Sequence, residues 1–509
     1  MKTALNDPYP KMSMPIRHFE NPIEKIYRHT LLVLFPFICL TIIISPPEPE
    51  IANWYNCWGP IFLTGVLVVA GYRIARALPA ALWSPAVWMV ISSAVFFGFG
   101  PLVEVFGNHE TKWRLSTYFI SVTELELFGA NRLSFISIFL MVFGFWIHMR
   151  FRKKLWVRTL SFHSINKNVV FKPKTLAIAF VLGGMIILHG VIRPSHWGIL
   201  DITIPGALTS IGTISDVGFA IAFFLAIRGS MAMRLFLVVT WPVHLFLTLL
   251  AFSKTIIMIA LIFPAIGAYL GHKSIFKLLT AALTIGVIYS LSQNFVTYGR
   301  LYIRAETGTI WDAGYAKRVI AVGEYFSENR NNFIYIDPTD TKQHWWVRLN
   351  YSGVQAAGVQ FRKDGVFIDS TSNIWTFFIP RMIWRDKPIY KGPGGQFYTL
   401  LTGNKGVNVG NSVMGDVYWQ FGWGGILIIM PMIGVLFAMF SWRSIEVIQN
   451  RDFVRIPLVL LAILMAATGL TKWLSNGIIS VVPIYFIYLL LINFMVKVLH
   501  STKSFTSIK

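Results

Sequence analysis

Apolar runs long enough to cross a bilayer recur along this chain. A spanning helix needs roughly 20 mostly apolar residues, and its backbone polar groups must be bonded within the segment. Twelve windows meet that test, near residues 30–45, 59–73, 84–106, 132–149, 175–192, 205–227, 235–252, 255–271, 278–296, 424–442, 456–473 and 478–496. The second is short and runs into Arg73 and Arg76. Only 13% of the residues are charged and 55% are hydrophobic, whereas about a quarter of an ordinary soluble domain is charged. A soluble enzyme is excluded. A disulfide scaffold is excluded too, because Cys39 and Cys57 are the chain's 2 cysteines. The expectation is an all-α polytopic membrane protein of about 12 transmembrane helices.

Orientation follows from Lys and Arg in the short connections. With the N-terminus inside, the cytoplasmic segments collect Lys2 to Arg28, Arg73 and Arg76, the cluster Arg150 to Lys174, then Arg228, Arg234, Lys273, Lys277, Arg443, Arg451 and Arg455. The first apolar run follows a polar stretch and precedes no small-residue cleavage site, so it reads as a retained helix. Both termini are expected in the cytoplasm: a tail over 1–29, spans one to nine within 30–297, a large extracytoplasmic loop over 298–423, spans ten to twelve within 424–496, and a tail over 497–509. The net charge of +22 sits mostly on one membrane face, where positive-inside bias and anionic lipid account for it. Nucleic acid is not an expected partner.

The stretch from Tyr298 to Gln420 has no span and is rich in Trp, Tyr, Phe and Gly. A loop longer than about 15 residues is usually functional or disordered, and this composition points to one that folds against the membrane. It carries Pro380-Arg381-Met382-Ile383-Trp384-Arg385-Asp386-Lys387-Pro388, then Gly392-Pro393-Gly394-Gly395, and later Gly415-Asp416-Val417-Tyr418-Trp419-Gln420-Phe421-Gly422. Arg381, Arg385 and Lys387 beside a Gly/Pro turn suit a phosphate cradle. The same cations suit a solvated loop that meets anionic headgroups.

The Pro380–Pro388 and Gly415–Gly422 runs resemble those of bacterial oligosaccharide repeat-unit polymerases, the O-antigen polymerase (Wzy-type) family. The layout of about a dozen spans with one large late loop is similar as well. Arg381 and Gly392 match a family pattern of arginine, ten residues, then glycine, and Ser253-Lys254-Thr255 is similar to a basic position at the outer end of a span. Arg193 has no glycine at the family spacing. The resemblance implies the bacterial cytoplasmic membrane and an undecaprenyl-pyrophosphate-linked oligosaccharide as substrate. The growing glycan would pass from its lipid pyrophosphate to a sugar hydroxyl of a new lipid-linked repeat unit. A chain-length regulator (co-polymerase) is an implied partner, and no cofactor is expected.

That chemistry has physical requirements. Departure of a sugar from pyrophosphate develops negative charge, which fixed cations stabilise, one donor being worth about 3 kcal/mol. Arg381, Arg385 and Lys387 are the first candidates to hold the pyrophosphate, with Arg193 and Lys254 reaching from neighbouring loops. The attacking hydroxyl needs a base, for which His196, Asp416 and Asp386 are candidates. Asp216 lies within the sixth apolar window, where an ionisable group reads as functional or as a packing polar satisfied by Thr213 and Ser215. His148, His189 and His244 read as bonds between neighbouring helices. Asp337 and Asp340 flank a proline turn and read as an Asx-turn, so no metal is expected. Two other classes share the composition: a flippase or transporter of a lipid-linked glycan or organic anion, and an O-antigen ligase with a different acceptor.

Overall fold

The computed structural model describes residues 22–44, 48–109, 115, 122–155, 173–202, 204, 212, 214–272, 274–308, 313–327, 346–367, 376, 379, 384, 393–403, 409–450, 452, 455–490 and 493. Among the described residues there are helices and no strands. Prolines open several helices, where a missing N–H leaves no donor unpaired and φ is already helical. In chain order the helices are α1 (Pro22–Ile43), α2 (Pro49–Ala77), α3 (Pro85–Phe106), α4 (Glu124–Leu155), α5 (Pro173–His196), α6 (Ile214–Ile227) and α7 (Met231–Leu249). There follow α8 (Lys254–His272), α9 (Ile275–Thr307), α10 (Tyr315–Phe326), α11 (Ser352–Lys363), α12 (Gly394–Thr402), α13 (Ser412–Gln449), α14 (Ile456–Thr468) and α15 (Ser475–Leu490).

Among the described residues 7 helices, α1 to α5, α7 and α13, are long and apolar enough to cross a membrane, and 4 shorter apolar helices accompany them. This is a helical membrane protein. Several boundaries differ from the sequence reading. α2 continues through Arg73 and Arg76 to Ala77, so the second apolar window is part of a full-length helix. Of the sixth window, α6 covers Ile214–Ile227, and residues 205–211 and 213 lie outside the described residues. α9 runs unbroken across residue 298 to Thr307.

The first group of helices, α1 to α4 with α13 and α14, is built on the contact of α4 with α13. Gly144 faces the Pro431 carbonyl and Gly434 faces the Met141 carbonyl, so the two backbones approach as small residues in membrane helices allow. Tyr27 of α1 stacks on Phe145 at 4.0 Å and donates its hydroxyl proton to the Ala86 carbonyl at 2.7 Å. The second group centres on α6, buried along most of its length between α5, α7 and α8. α14 joins the groups, since Leu458 and Ala462 pack in the first core and Val459, Leu460 and Ile463 in the second.

The loop helix α11 is drawn into the first group. Ser352 Oγ donates to Asn131 Oδ1 at 2.9 Å and Asn131 Nδ2 donates to Asn56 Oδ1 at 3.1 Å. Ser134 Oγ donates to Gln355 Oε1 at 2.8 Å, and Gln355 Nε2 donates to Ser412 Oγ at 2.9 Å. These bonds replace water for buried polar groups and dock the loop onto one end of the bundle.

Candidate functional site

The last turn of a helix leaves carbonyls without an intrahelical partner. At the end of α7 one arginine takes such a carbonyl, and two more from other helices take carbonyls of the turn that follows. Arg193 of α5 donates through Nη1 to the Leu247 carbonyl. Arg318 of α10 donates through Nη1 to the Leu250 carbonyl at 3.1 Å. Arg300 of α9 donates through Nε to the Phe252 carbonyl at 2.9 Å. Phe252 itself has φ of 44°, uncommon for a residue with a side chain, and this turn delivers the chain to Lys254 at the start of α8. Arg318 also lies with its guanidinium 3.9 Å from the Trp197 ring centre and donates through Nε to the Ala313 carbonyl at 2.8 Å. Burial lowers its pKa to about 10, and Arg193 adds to the effect.

Lys254 stands just ahead of the apolar run Ile256–His272. Burial pushes its pKa down to about 8, and the positive charges of Arg348 and Arg300 push the same way. Arg300 is lowered by burial and by Arg348. Three cations from α8, α9 and the turn before α11 thus act on one another electrostatically, Arg300 and Arg348 exposed and Lys254 half-buried. Like charges held together in a partly dry site are costly unless an anion joins them, which makes such a cluster a candidate binding site.

A buried line of polar side chains ends at Arg193. His189 lies in a π-helical segment of α5, Ile186–Ile192, that continues into Arg193. Arg193 Nη1 is 3.0 Å from His189 Nδ1, His189 Nε2 is 3.3 Å from His244 Nδ1, and His244 Nε2 is 3.0 Å from Asp216 Oδ1. Tyr315 donates its hydroxyl proton to the His189 carbonyl. The expected role of His189 and His244 in joining helices is met; Asp216 pairs with His244, Ser215 Oγ donates to the Gly212 carbonyl, and Thr213 lies outside the described residues.

Comparison with protein-family models, with curated proteins and with solved structures returns no match. The arrangement of this chain's own residues therefore carries the functional argument.

Of the residues singled out in the sequence, Arg193 and Lys254 fall in this region, joined to one another through the 247–254 segment. His196 ends α5 and is exposed, three residues from Arg193. Arg381, Arg385 and Lys387 lie outside the described residues, as do Gly392, Asp386, Asp337 and Asp340. Asp416 is buried, and its Oδ2 accepts from the Leu474 amide at 2.9 Å, ahead of the first turn of α15. Gly415 packs against the Asn411 amide. Gly422 has φ of 64° and ψ of −155° and breaks α13; the Arg362 guanidinium occupies the space beside it and donates to the Trp419 carbonyl at 2.9 Å. Gly415, Asp416 and Gly422 of the Gly415–Gly422 run thus each have a packing or backbone task. Among the described residues no group of three or more His, Cys, Asp or Glu side chains is arranged to hold a metal ion.

Arg300, Arg318 and Arg348 lie in a part of the chain where cations and carboxylates alternate. Arg300 and Arg348 lie 46 and 94 residues beyond Lys254 in the chain, and local spacing carries no trace of their meeting.

Proposed function

We propose that this chain is a membrane glycosyltransferase that polymerises lipid-linked oligosaccharide repeat units at the extracytoplasmic face of the bacterial cytoplasmic membrane. The observation that carries the reading is the Lys254–Arg300–Arg348 cluster at the end of the bundle where the loop helices dock. A polyprenyl pyrophosphate presents its diphosphate at that level, and the cations would take the charge that grows on it as the sugar–oxygen bond breaks. Arg193 would add a guanidinium from below, and Arg381, Arg385 and Lys387 are proposed to reach in from the loop. The new bond forms from an acceptor sugar hydroxyl to the anomeric carbon, and the hydroxyl proton passes to a base. His196 is exposed beside Arg193, whereas Asp416 already accepts a backbone amide; His196 is the better placed of the two.

The proposed topology has twelve spans: the 7 long helices, the 4 shorter apolar ones and α9. Both termini are cytoplasmic in this reading, and a chain-length regulator is the proposed partner. A second reading, a flippase or transporter, draws on Asp216, His244 and His189, because ionisable residues buried among spans often mark transport paths.

The glycan profile of cells separates these. Lys254→Ala or Arg300→Ala should leave protein in the membrane and give single capped repeat units with no long chains. A wild-type chain-length distribution removes the cluster from the active site, and loss of all capped glycan favours a flippase or a ligase. In vitro, polymerisation should fall as pH rises through about 8, where Lys254 loses its charge, and Lys254→Arg should hold its rate there because a guanidinium stays protonated.

A further inference from the structure

The line Asp216, His244, His189, Arg193 has its proton positions fixed by its two ends. A guanidinium carries donors only, so Arg193 Nη1, at 3.0 Å, makes His189 Nδ1 an acceptor. The His189 proton then sits on Nε2 and is donated to His244 Nδ1 at 3.3 Å. His244 in turn carries its proton on Nε2 and donates it to the Asp216 carboxylate at 3.0 Å. The opposite order fails at the arginine, where a proton on His189 Nδ1 would face an N–H. A second proton on His244 fails in the same way, because His189 would then accept at Nε2 and carry its proton on Nδ1. Both imidazoles are therefore neutral, and their dipoles point one way, acceptor nitrogens toward the arginine and N–H groups toward the carboxylate.

The charged and titratable groups around this line are the Asp216 carboxylate on α6, the Arg193 guanidinium on α5, and the Tyr315 phenol and Arg318 guanidinium on α10. Arg318 is already held by the Ala313 and Leu250 carbonyls and by Trp197, and the Tyr315 hydroxyl by the His189 carbonyl. Arg193 is 4% exposed. Its Nη1 serves both His189 and the Leu247 carbonyl, and its Nη2 is buried with no partner among the described residues. A buried donor on a charged group is expensive to leave unmatched.

We infer that Asp216, His244 and His189 are positioning residues that hold Arg193 with its Nη2 donor reserved for an oxyanion, without exchanging protons with it. The ligand's identity as a diphosphate rests on the polymerase reading above. The line is unsuited to carrying protons across the membrane while Arg193 stays in place, since each imidazole can be occupied in only one way.

Two measurements on the full-length protein in detergent test this. The first is calorimetric titration with inorganic pyrophosphate and, separately, sulfate. Wild type should bind pyrophosphate, and His244→Gln should weaken it by roughly 10–100-fold, the loss usual when a residue supporting a binding group is removed. Equal affinity in wild type and His244→Gln, or no binding of either anion by wild type, overturns the inference. Sulfate binding as tight as pyrophosphate, still weakened by His244→Gln, supports the oxyanion site while refuting the diphosphate and with it the polymerase reading. The second is nitrogen NMR of labelled histidines, which a merely structural role would not constrain. His189 and His244 should each carry a single proton, on Nε2. A proton on Nδ1 of either residue in wild type sinks the proposal.

Discussion

Asp416 Oδ2 accepts the Leu474 amide at 2.9 Å where the chain turns into α15, and this bond separates two roles for one carboxylate. Asp416→Asn keeps an acceptor oxygen at the amide, whereas Asp416→Ala leaves a buried N–H unmatched at a cost of about 1–3 kcal/mol. A backbone role predicts that melting of the purified protein drops for Ala far more than for Asn, and that Asn retains polymer synthesis. Loss of synthesis in Asn with unchanged melting would make Asp416 the base. At this scale the sequence made part of the site legible. Lys254 and Arg193 stand out as single cations at the ends of apolar windows, because charge is scarce there. Arg300 and Arg348 do not, because a cation in a long polar loop has many ordinary explanations until the fold sets it beside another. His189, His244 and Asp216 were each visible as polar residues in apolar runs, but their order in one line depends on the π-helical segment of α5, which no residue pattern announces.

Among the helices, the contact of α4 with α13 depends on Gly144 and Gly434, each of which faces a backbone carbonyl of the other helix. A methyl group at either position must push the helices apart, so Gly144→Ala and Gly434→Ala should each destabilise by about 1–3 kcal/mol, the range for overpacking a close contact. Gly129→Ala and Gly183→Ala are the controls, since an added methyl meets nothing within 4 Å at either place. Thermal unfolding in detergent measures all four. Equal effects across the set would mean that the close approach is not what holds these helices. Apolar windows marked where helices lie, because burial of the backbone in lipid admits few alternatives. They did not mark where helices begin beyond the apolar part. α13 starts at Ser412, ahead of the tenth window, and only the break at Gly422, held by Arg362, divides its outer turns from its apolar length.

For the whole molecule, one end of the bundle gathers Arg193, Lys254, Arg300, Arg318 and Arg348, and the other gathers Arg150, which pairs with Glu24 at 3.7 Å, with Arg234 and Arg455. Both ends carry cations, and the proposed orientation rests on those in the short connections. In a chain whose Cys39 and Cys57 are replaced by Ser, a cysteine at His196 should react with an impermeant maleimide in intact cells, and one at Arg150 only after permeabilisation. The reverse pattern would turn the topology over and remove the extracytoplasmic site. α9 adds a dimension that no span count conveys. Its 33 residues rise about 50 Å, while the hydrocarbon of a bilayer is about 30 Å deep. In the proposed topology the surplus would stand as a rigid mast clear of the lipid tails, with Arg300 and Arg304 near its top, and would set the height above the tails at which a captive headgroup is handled.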